Sequence, residues 1–149
     1  MEKKMNNKGF SLVELIVVIA IMAVLVGVLA PQFIKYVEKS REATDIQNCD
    51  TIKSVVESYY ADKETLPQKV IVTINGTNTS ATKEDGSTKE NAGLADAGVD
   101  KNKIKAKNWT TITMTYTTSD GKWEYVITNA SGKTPYYKVN SDKSAFEVE

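Results

Sequence analysis

The residue with the clearest chemical meaning near the amino end is Glu14, because it stands inside the longest apolar run of the chain. A carboxylate deep in a membrane helix costs on the order of 3 kcal/mol on insertion scales, so such a residue is functional by default. Ser11 and Gln32 are the other polar side chains between Phe10 and Ile34. Glu14 is therefore the first candidate functional residue of the sequence.

The element that must position Glu14 is the apolar run itself. Positions 15–30 form 16 consecutive residues without a polar or charged side chain. A helix over all 25 positions from Phe10 to Ile34 would be about 37 Å long, enough to cross a bilayer core of about 30 Å. A positive flank (Lys3, Lys4 and Lys8 against Glu2) precedes the run. We therefore expect a single-pass segment with a cytoplasmic amino end and an exported remainder.

Composition excludes several classes of chemistry. The chain has 149 residues, the size of one domain, with 19 basic and 19 acidic residues and no histidine. Without histidine, Ser-His-Asp and Cys-His nucleophiles and most zinc sites are excluded. The single Cys49 allows no intrachain disulfide, and neither a phosphate-binding glycine loop nor an EF-hand spacing is present. We expect no enzymatic activity, no cofactor, no metal and no specific nucleic-acid partner.

Two ordinary explanations of the amino-terminal run compete with a specialised one. A cleaved signal peptide needs a small-residue cleavage site after the run, but the chain continues from Ala30 as Pro-Gln-Phe-Ile without an A-x-A pattern. A plain membrane anchor leaves Glu14 unexplained.

The string from Lys8 to Leu15, KGFSLVEL, resembles the class III signal sequence of type IV pilins. The resemblance covers about residues 1–60. It implies that a prepilin peptidase cuts after Gly9 and that Phe10 becomes the methylated first residue of a mature chain of 140 residues. A glycine suits this position because its backbone can lie extended in a protease cleft. Glu14 and Pro31 match the glutamate and proline that the family carries at the fifth and twenty-second mature positions.

The resemblance also implies roles in assembly. Glu14 would pair with the terminal amine of a neighbouring subunit, and a charge pair in apolar surroundings fixes register because mispairing leaves a buried charge unmatched. The alternative for Glu14 is a side chain that snorkels to the interface. Pro31, with Gly27 four residues upstream, should kink or loosen the helix. This could let the helices bundle in a fibre, or it could be a kink without mechanical purpose.

An amphipathic pattern follows and predicts that the helix continues to about Asp62. One face should pack on a sheet, with Cys49 as a buried small hydrophobe; this face comprises Ile46, Cys49, Ile52, Val56 and Tyr59/Tyr60. Phe33, Val37 and Ala43 extend it loosely. The other faces should carry Lys39, Arg41, Glu42, Asp45, Asp50, Lys53 and Glu57.

Alternating apolar residues predict a small antiparallel sheet in the remainder. Short strands are expected around 70–74, 112–116 and 123–127, with the last two joined at Asp120-Gly121, and one or two more between Tyr137 and Val148. Residues 75–108 should form a long loop, with a short helix near 91–97. The expected sheet is a meander of three or four strands with one apolar face packed on the helix.

Two weaker patterns remain in this half. Four N-glycosylation sequons begin at Asn75, Asn78, Asn108 and Asn129, and chance composition explains them. Four lysines (Lys101, Lys103, Lys105 and Lys107) stand before Trp109. They could touch DNA or an anionic surface, but a solvated loop is the plainer interpretation.

The sequence is therefore interpreted as an α+β pilin-like subunit. Its expected segments are a leader (1–9), a membrane and assembly helix (10–34), an amphipathic helix (35–62) and a sheet domain (63–149). Its expected partners are further copies of itself in a helical polymer, prepilin peptidase, the pilus assembly platform and minor pilins. It would lie in the cytoplasmic membrane and then in a surface pilus for adhesion, motility or biofilm formation. A type II secretion pseudopilin, a competence pilin and a membrane-anchored binding or enzyme domain remain alternatives.

Overall fold

A computed structural model describes residues 9–84 and 92–149, and the backbone alone of residues 89–90. The predicted leader therefore lies outside the described residues except for Gly9, and so does Asn91. The chain divides into two units, at residues 1–36 and 37–149. Within the described part of the chain, the elements are one helix, α1 (Leu12–Ala61), one short 3₁₀ helix (Val99–Lys101) and seven strands: β1 (Lys69–Ile74), β2 (Thr79–Lys83), β3 (Lys89–Glu90), β4 (Trp109–Thr117), β5 (Lys122–Asn129), β6 (Tyr137–Val139) and β7 (Phe146–Val148).

The first unit contains the apolar part of α1, and its large side chains are exposed. Residues of this kind from Leu12 to Ile34 show about half or more of their surface. The helical assignment continues through Gly27 and Pro31 without a break. Pro31 lacks the amide proton that an interior helix residue donates, so one intrahelical hydrogen bond is absent there although the helical conformation is kept.

The second unit is an antiparallel sheet covered by the rest of α1. Its order is β3-β2-β1-β4-β5, and β1 pairs with both β2 and β4. The inward residues of these strands, such as Val72, Ile112 and Met114, meet Cys49, Ile52 and Val56 of α1 in one buried apolar cluster. The alternation of buried and half-exposed positions along β1 and β4 is the pattern of a sheet with one face on a core.

The α+β class is confirmed, but the expected arrangement of the strands is wrong in two respects. Residues 75–108 were expected to form a loop, yet they contain β2 and β3, which extend the sheet beyond β1. The strands β6 and β7 form a separate two-stranded ribbon instead of continuing the sheet. The short helix expected near residues 91–97 is, over the described residues 92–97, a series of turns that leads into the 3₁₀ helix.

Candidate functional site

The beginning of α1 is organised by Ser11 and Glu14. The Ser11 backbone amide donates a hydrogen bond to Glu14 Oε2 at 2.7 Å, and the Ser11 hydroxyl oxygen accepts one from the Val13 amide at 3.3 Å. This reciprocal arrangement is a capping box, which satisfies amides that have no partner within the helix. Glu14 therefore holds the helix start within a single chain, a role that the sequence interpretation did not include.

Phe10 lies just before the helix, which begins at Leu12. Its side chain is 85% exposed. Phe10 and Glu14 nevertheless line the same apolar groove, together with Val13, Val17 and Val18. The structure thus brings together the two residues that the pilin resemblance implicates in processing and assembly, and it leaves both accessible.

The helix that follows Phe10 and carries Glu14 is long and apolar enough to cross a membrane, by length and composition. No residue of its most apolar 18-residue stretch is buried. A core helix of a soluble protein would bury this stretch. A contiguous exposed apolar surface marks a site of contact with protein or membrane. Gly9 and Gly27 both have open space where a Cβ would stand. Close packing within the described chain therefore does not require glycine at either position.

The predicted packing residues of α1 lie at the sheet. Cys49, Ile52 and Val56 are completely buried, whereas Ile46 and Tyr59 are partly buried against the same cluster. Burial raises the pKa of the Cys49 thiol well above its usual range, with the nearby Asp45 and Asp50 acting in the same direction. A buried neutral thiol is a poor nucleophile, so Cys49 acts here as a small hydrophobe.

Two acidic residues were placed on the wrong face of α1 by the sequence interpretation. Glu42 and Asp45 are 0% and 2% exposed, although they were expected to lie away from the sheet. Ala43, expected on the buried stripe, is exposed, and so is Phe33. The buried face thus continues upstream of Cys49 through carboxylates instead of through apolar side chains.

These carboxylates bind backbone amides of distant segments, and we call Glu38, Glu42 and Asp45 the carboxylate row. Glu38 accepts hydrogen bonds from the amides of Lys107 and Asn108. Asp45 accepts them from Lys105 and Ala106, the latter at 2.8 Å. The row therefore fixes residues 105–108, which belong to no strand until Trp109.

Glu42 binds donors from two segments that are far apart in the chain. Its Oε2 accepts hydrogen bonds from the amides of Tyr136 and Tyr137 at 2.7 and 3.0 Å. Its Oε1 accepts one from the Asn108 side-chain amide at 2.6 Å. Glu42 thus connects α1 to the start of β6 and to the end of the segment that Asp45 and Glu38 hold. A buried charge is tolerated when hydrogen bonds compensate its lost hydration, as these three do.

Sequence spacing contains a signal for Glu42 and Asp45. Positions 42, 45, 49, 52 and 56 are separated alternately by three and four residues, the period of one helix face. Extending the stripe from Cys49 towards the amino end predicts burial at both. The hydrophobicity criterion missed them because it treats carboxylates as solvent-facing, which is their usual position.

Burial also alters the acidity of Asp45. Loss of hydration raises the pKa of its carboxyl above the ordinary 3.8, and the hydrogen bonds from the Ala106 and Lys105 amides and the Lys105 charge offset only part of this rise. Among the described residues no cluster of three or more candidate ligands could hold a metal ion. The carboxylate row accepts hydrogen bonds from backbone amides and, at Glu42, from the Asn108 side chain.

The structure also bears on one sequon. Asn108 is 8% exposed and donates its side-chain amide to Glu42. A glycan on that nitrogen would have no room in the folded chain, so the folded protein cannot carry one at Asn108.

Comparison with known families identifies the amino-terminal segment. Residues 4–30 match the model of the prokaryotic N-terminal methylation motif. The chain carries a prokaryotic N-terminal methylation motif. The motif includes Gly9, Phe10 and Glu14, whose geometry is described above, and the resemblance to type IV pilins is confirmed by it and by the relatives below.

Curated relatives share part of the chain. It is 49% identical over 63 residues to "Prepilin peptidase-dependent protein A" of Clostridium perfringens, which covers 41% of this chain and 44% of the relative. It is 31% identical to "Type IV major pilin protein PilA" of Myxococcus xanthus over 40% of this chain and 27% of the relative. It is 37% identical to "Type IV narrow pilus major component PilA5" of Thermus thermophilus over 38% of this chain and 46% of the relative. In these three matches the chain spans less than half of the relative's length. No solved structure matches significantly.

Proposed function

We propose that this protein is a structural subunit of a type IV pilus. A peptidase removes the leader after Gly9, Phe10 becomes the methylated first residue, and the apolar half of α1 holds the subunit in the cytoplasmic membrane. Polymerisation then transfers that half of the helix from lipid to the apolar surfaces of other subunits. The polymer is displayed on the cell surface, and the subunit itself performs no catalysis.

One observation carries this proposal. The apolar surface of α1 from Leu12 to Ile34 is exposed throughout, and it directly follows the Gly9-Phe10 junction within the matched methylation motif. Burial of apolar surface is worth about 25 cal/mol per Å², so a helix of this kind is stable only in lipid or among other apolar helices. A subunit that moves from one to the other satisfies both environments.

Pro31 and Glu14 have proposed roles within this function. Glu14 pairs with the terminal amine of a neighbour and so sets the axial register. The hydrogen bond missing at Pro31 makes this turn the weakest part of α1, and Gly27 weakens the same stretch. The partners are further copies of the chain, prepilin peptidase, the assembly platform and minor pilins.

The test is the amino-terminal residue and mass of the protein in filaments sheared from cells. We expect an abundant chain that begins at methylated Phe10, and we expect Gly9→Val to accumulate as unprocessed membrane protein. An intact chain in filaments, or a mature chain from the Gly9→Val variant, would contradict the assigned cleavage. A released monomer cut after residue 30 would contradict the polymer.

A further inference from the structure

The lysines before β4 form an ordered row. Lys101, Lys103, Lys105 and Lys107 are all exposed, while the residues between them face inward. Ala106 and Asn108 are buried, and Asn102 and Ile104 are half-buried. The four exposed lysines thus alternate with inward-facing residues from the end of the 3₁₀ helix at Lys101 to the residue pair before β4. We call these four residues the lysine row.

Each inward position of this segment is anchored. The Ile104 amide donates to the Asn75 carbonyl at 2.9 Å, and the Thr79 hydroxyl donates to the Asn102 carbonyl at 2.8 Å. Asp45 and Glu38 hold the amides of residues 105–108. Because these anchors bind backbone and not the ammonium groups, the lysine row keeps its cations towards solvent.

The carboxylates near the lysine row already accept hydrogen bonds from backbone amides. Asp45 attracts the Lys105 ammonium, but both of its oxygens accept backbone amides. Within residues 9–84 and 92–149, the ion pairs found within 4 Å involve other cations than these four. An exposed row of cations without such partners fits an anionic surface.

The position of the lysine row along the chain indicates which kind of anionic surface it contacts. Glu38, which holds the Lys107 amide, follows Ile34 by four residues, and four residues span at most about 14 Å. Lys107 is therefore tethered, through Glu38, four residues of chain after the end of the apolar run. Asp45, which holds the Lys105 amide, is seven residues further along α1, or about 10 Å. Lys101 ends the 3₁₀ helix, which contacts β2.

We propose that Lys107 and Lys105 bind anionic phospholipid headgroups on the exported side of the membrane while the subunit awaits assembly. This inference rests on the proposed function, because it requires the apolar half of α1 to lie in the bilayer. Electrostatic attraction to a charged surface decays over about 8 Å at physiological salt. Contact therefore declines along the row from Lys107 to Lys101. Extraction into a fibre breaks these contacts, so lipid charge opposes release of the subunit.

The experiment is amine labelling of the full-length protein in vesicles, with each lysine quantified by mass spectrometry. One set of vesicles is phosphatidylcholine alone, and the other contains 30% phosphatidylglycerol. We expect anionic lipid to slow labelling of Lys107 and Lys105 several-fold, with a smaller effect at Lys103 and none at Lys101. The protection should disappear in 1 M salt, where screening acts within about 3 Å.

Lys122 provides the internal control. It adjoins Trp123, whose indole nitrogen donates to Glu57 at 2.9 Å, and Glu57 lies 19 residues beyond Glu38, about 28 Å along α1. Equal labelling of Lys107 in both lipids, or equal protection of Lys122, would overturn the proposal. A single-stranded DNA oligonucleotide is added to the phosphatidylcholine vesicles as a soluble polyanion. If it protects all four lysines alike at low concentration, nucleic acid is the ligand and the lipid assignment is wrong.

A pair of variants with equal charge change tests the lysines directly. Lys105→Gln/Lys107→Gln is compared with Lys101→Gln/Lys122→Gln in nanodiscs of mixed lipid, and the phospholipids retained by the protein are counted by native mass spectrometry. A cation near an anionic surface contributes roughly a fivefold preference, so the first pair should lower retention of phosphatidylglycerol about 25-fold and the second should not. Equal losses from both pairs would refute a localised site. Flotation of every variant with the vesicles tests the membrane helix separately, so failure of the proposed function is distinguishable.

Discussion

Glu14 performs a structural task in the single chain that is separable from its proposed task in the polymer. As the third residue of α1 it caps the helix through the Ser11 amide, and the same carboxylate is the proposed partner of a neighbour's amine. Loss of a capping interaction costs on the order of 1 kcal/mol, whereas an unmatched charge in an apolar polymer costs several. The two tasks therefore differ in magnitude and can be separated by substitution.

We expect Glu14→Ala and Glu14→Gln to be processed after Gly9 yet to give few or no filaments, because both remove the charge. Ser11→Ala is the matched control, since it removes the hydroxyl acceptor of the cap and retains the carboxylate. It should assemble at close to wild-type abundance. The measurement is the ratio of processed protein in sheared filaments to that in membranes. Wild-type filaments from Glu14→Gln would eliminate the charge-pairing role.

Asp45 predicts an unusual pH response. Its pKa is raised in the folded chain, so the folded state binds the proton more tightly than the unfolded state. Asp45 therefore stabilises the folded state most at a pH below its pKa in the unfolded chain. This stabilisation is lost as the pH rises through its pKa in the folded chain. Asp45→Asn cannot titrate. On lowering the pH from 7 to 4, the free energy of unfolding of the wild type should increase relative to that of the variant.

Urea titrations of both proteins in the same detergent give this comparison, because the contributions of all other groups largely cancel. A difference that stays constant with pH, or that changes in the opposite direction, would show that hydration loss does not dominate at Asp45.

At the scale of elements, α1 supports two segments that lie outside the five-stranded sheet. Its apolar stripe binds the strands, and the carboxylate row binds the segment 105–108 and the start of β6. The ribbon of β6 and β7 pairs within itself, so Glu42 is one of the contacts that hold it to α1. Trp123 adds a hydrogen bond to Glu57 at the other end of the covered face.

Glu42→Ala should destabilise the second unit by about 3 kcal/mol or more, because it leaves the Tyr136, Tyr137 and Asn108 donors without their acceptor. The exposed Asp50→Ala is the control on the same helix and should fall within about 0.5 kcal/mol of wild type. Urea unfolding measures both, and limited proteolysis should cut the Glu42→Ala protein first near residues 130–136. Similar stabilities of the two variants would contradict an anchoring role.

Prediction from sequence succeeded where side-chain polarity and position agree. Alternation identified β1, β4 and β5, and Asp120-Gly121 marked a turn in which Gly121 has a φ of 67°. It failed at β2, whose inward residues Thr79 and Ala81 are too small or too polar to resemble a core strand. It failed at Glu42 and Asp45 because their burial depends on amides about 60 to 95 residues away. The helical spacing of positions 42, 45, 49, 52 and 56 does indicate that both are buried, but no local pattern identifies their distant hydrogen-bond partners.

At the scale of the whole molecule, the two units differ in the polarity of their exposed surfaces. The second has its own buried cluster and an ordinary polar exterior, whereas the first exposes apolar side chains along its length. The chain contains one cysteine, so no intrachain disulfide links distant parts of the sheet domain. Sheet pairing, the apolar cluster and the carboxylate row must supply its stability.

A chain that begins at Val37 should therefore be soluble and monomeric without detergent, whereas the full-length chain should require detergent, lipid or polymerisation. Sedimentation velocity of the two proteins, with circular dichroism as a check on folding, makes the comparison. Aggregation of the shorter chain despite a folded spectrum would show that the second unit also carries an adhesive apolar surface.

The carboxylate row has a consequence for how this surface can diverge. Glu38 and Asp45 recognise backbone amides, which every residue but proline provides, so they hold residues 105–107 irrespective of the outward side chains. Mutations of the outward-facing residues 105 and 107 would change the exposed chemistry of the second unit without removing these hydrogen bonds. The interior contacts of the second unit would then stay the same whichever side chains this segment presents, so its binding properties can change independently of its stability.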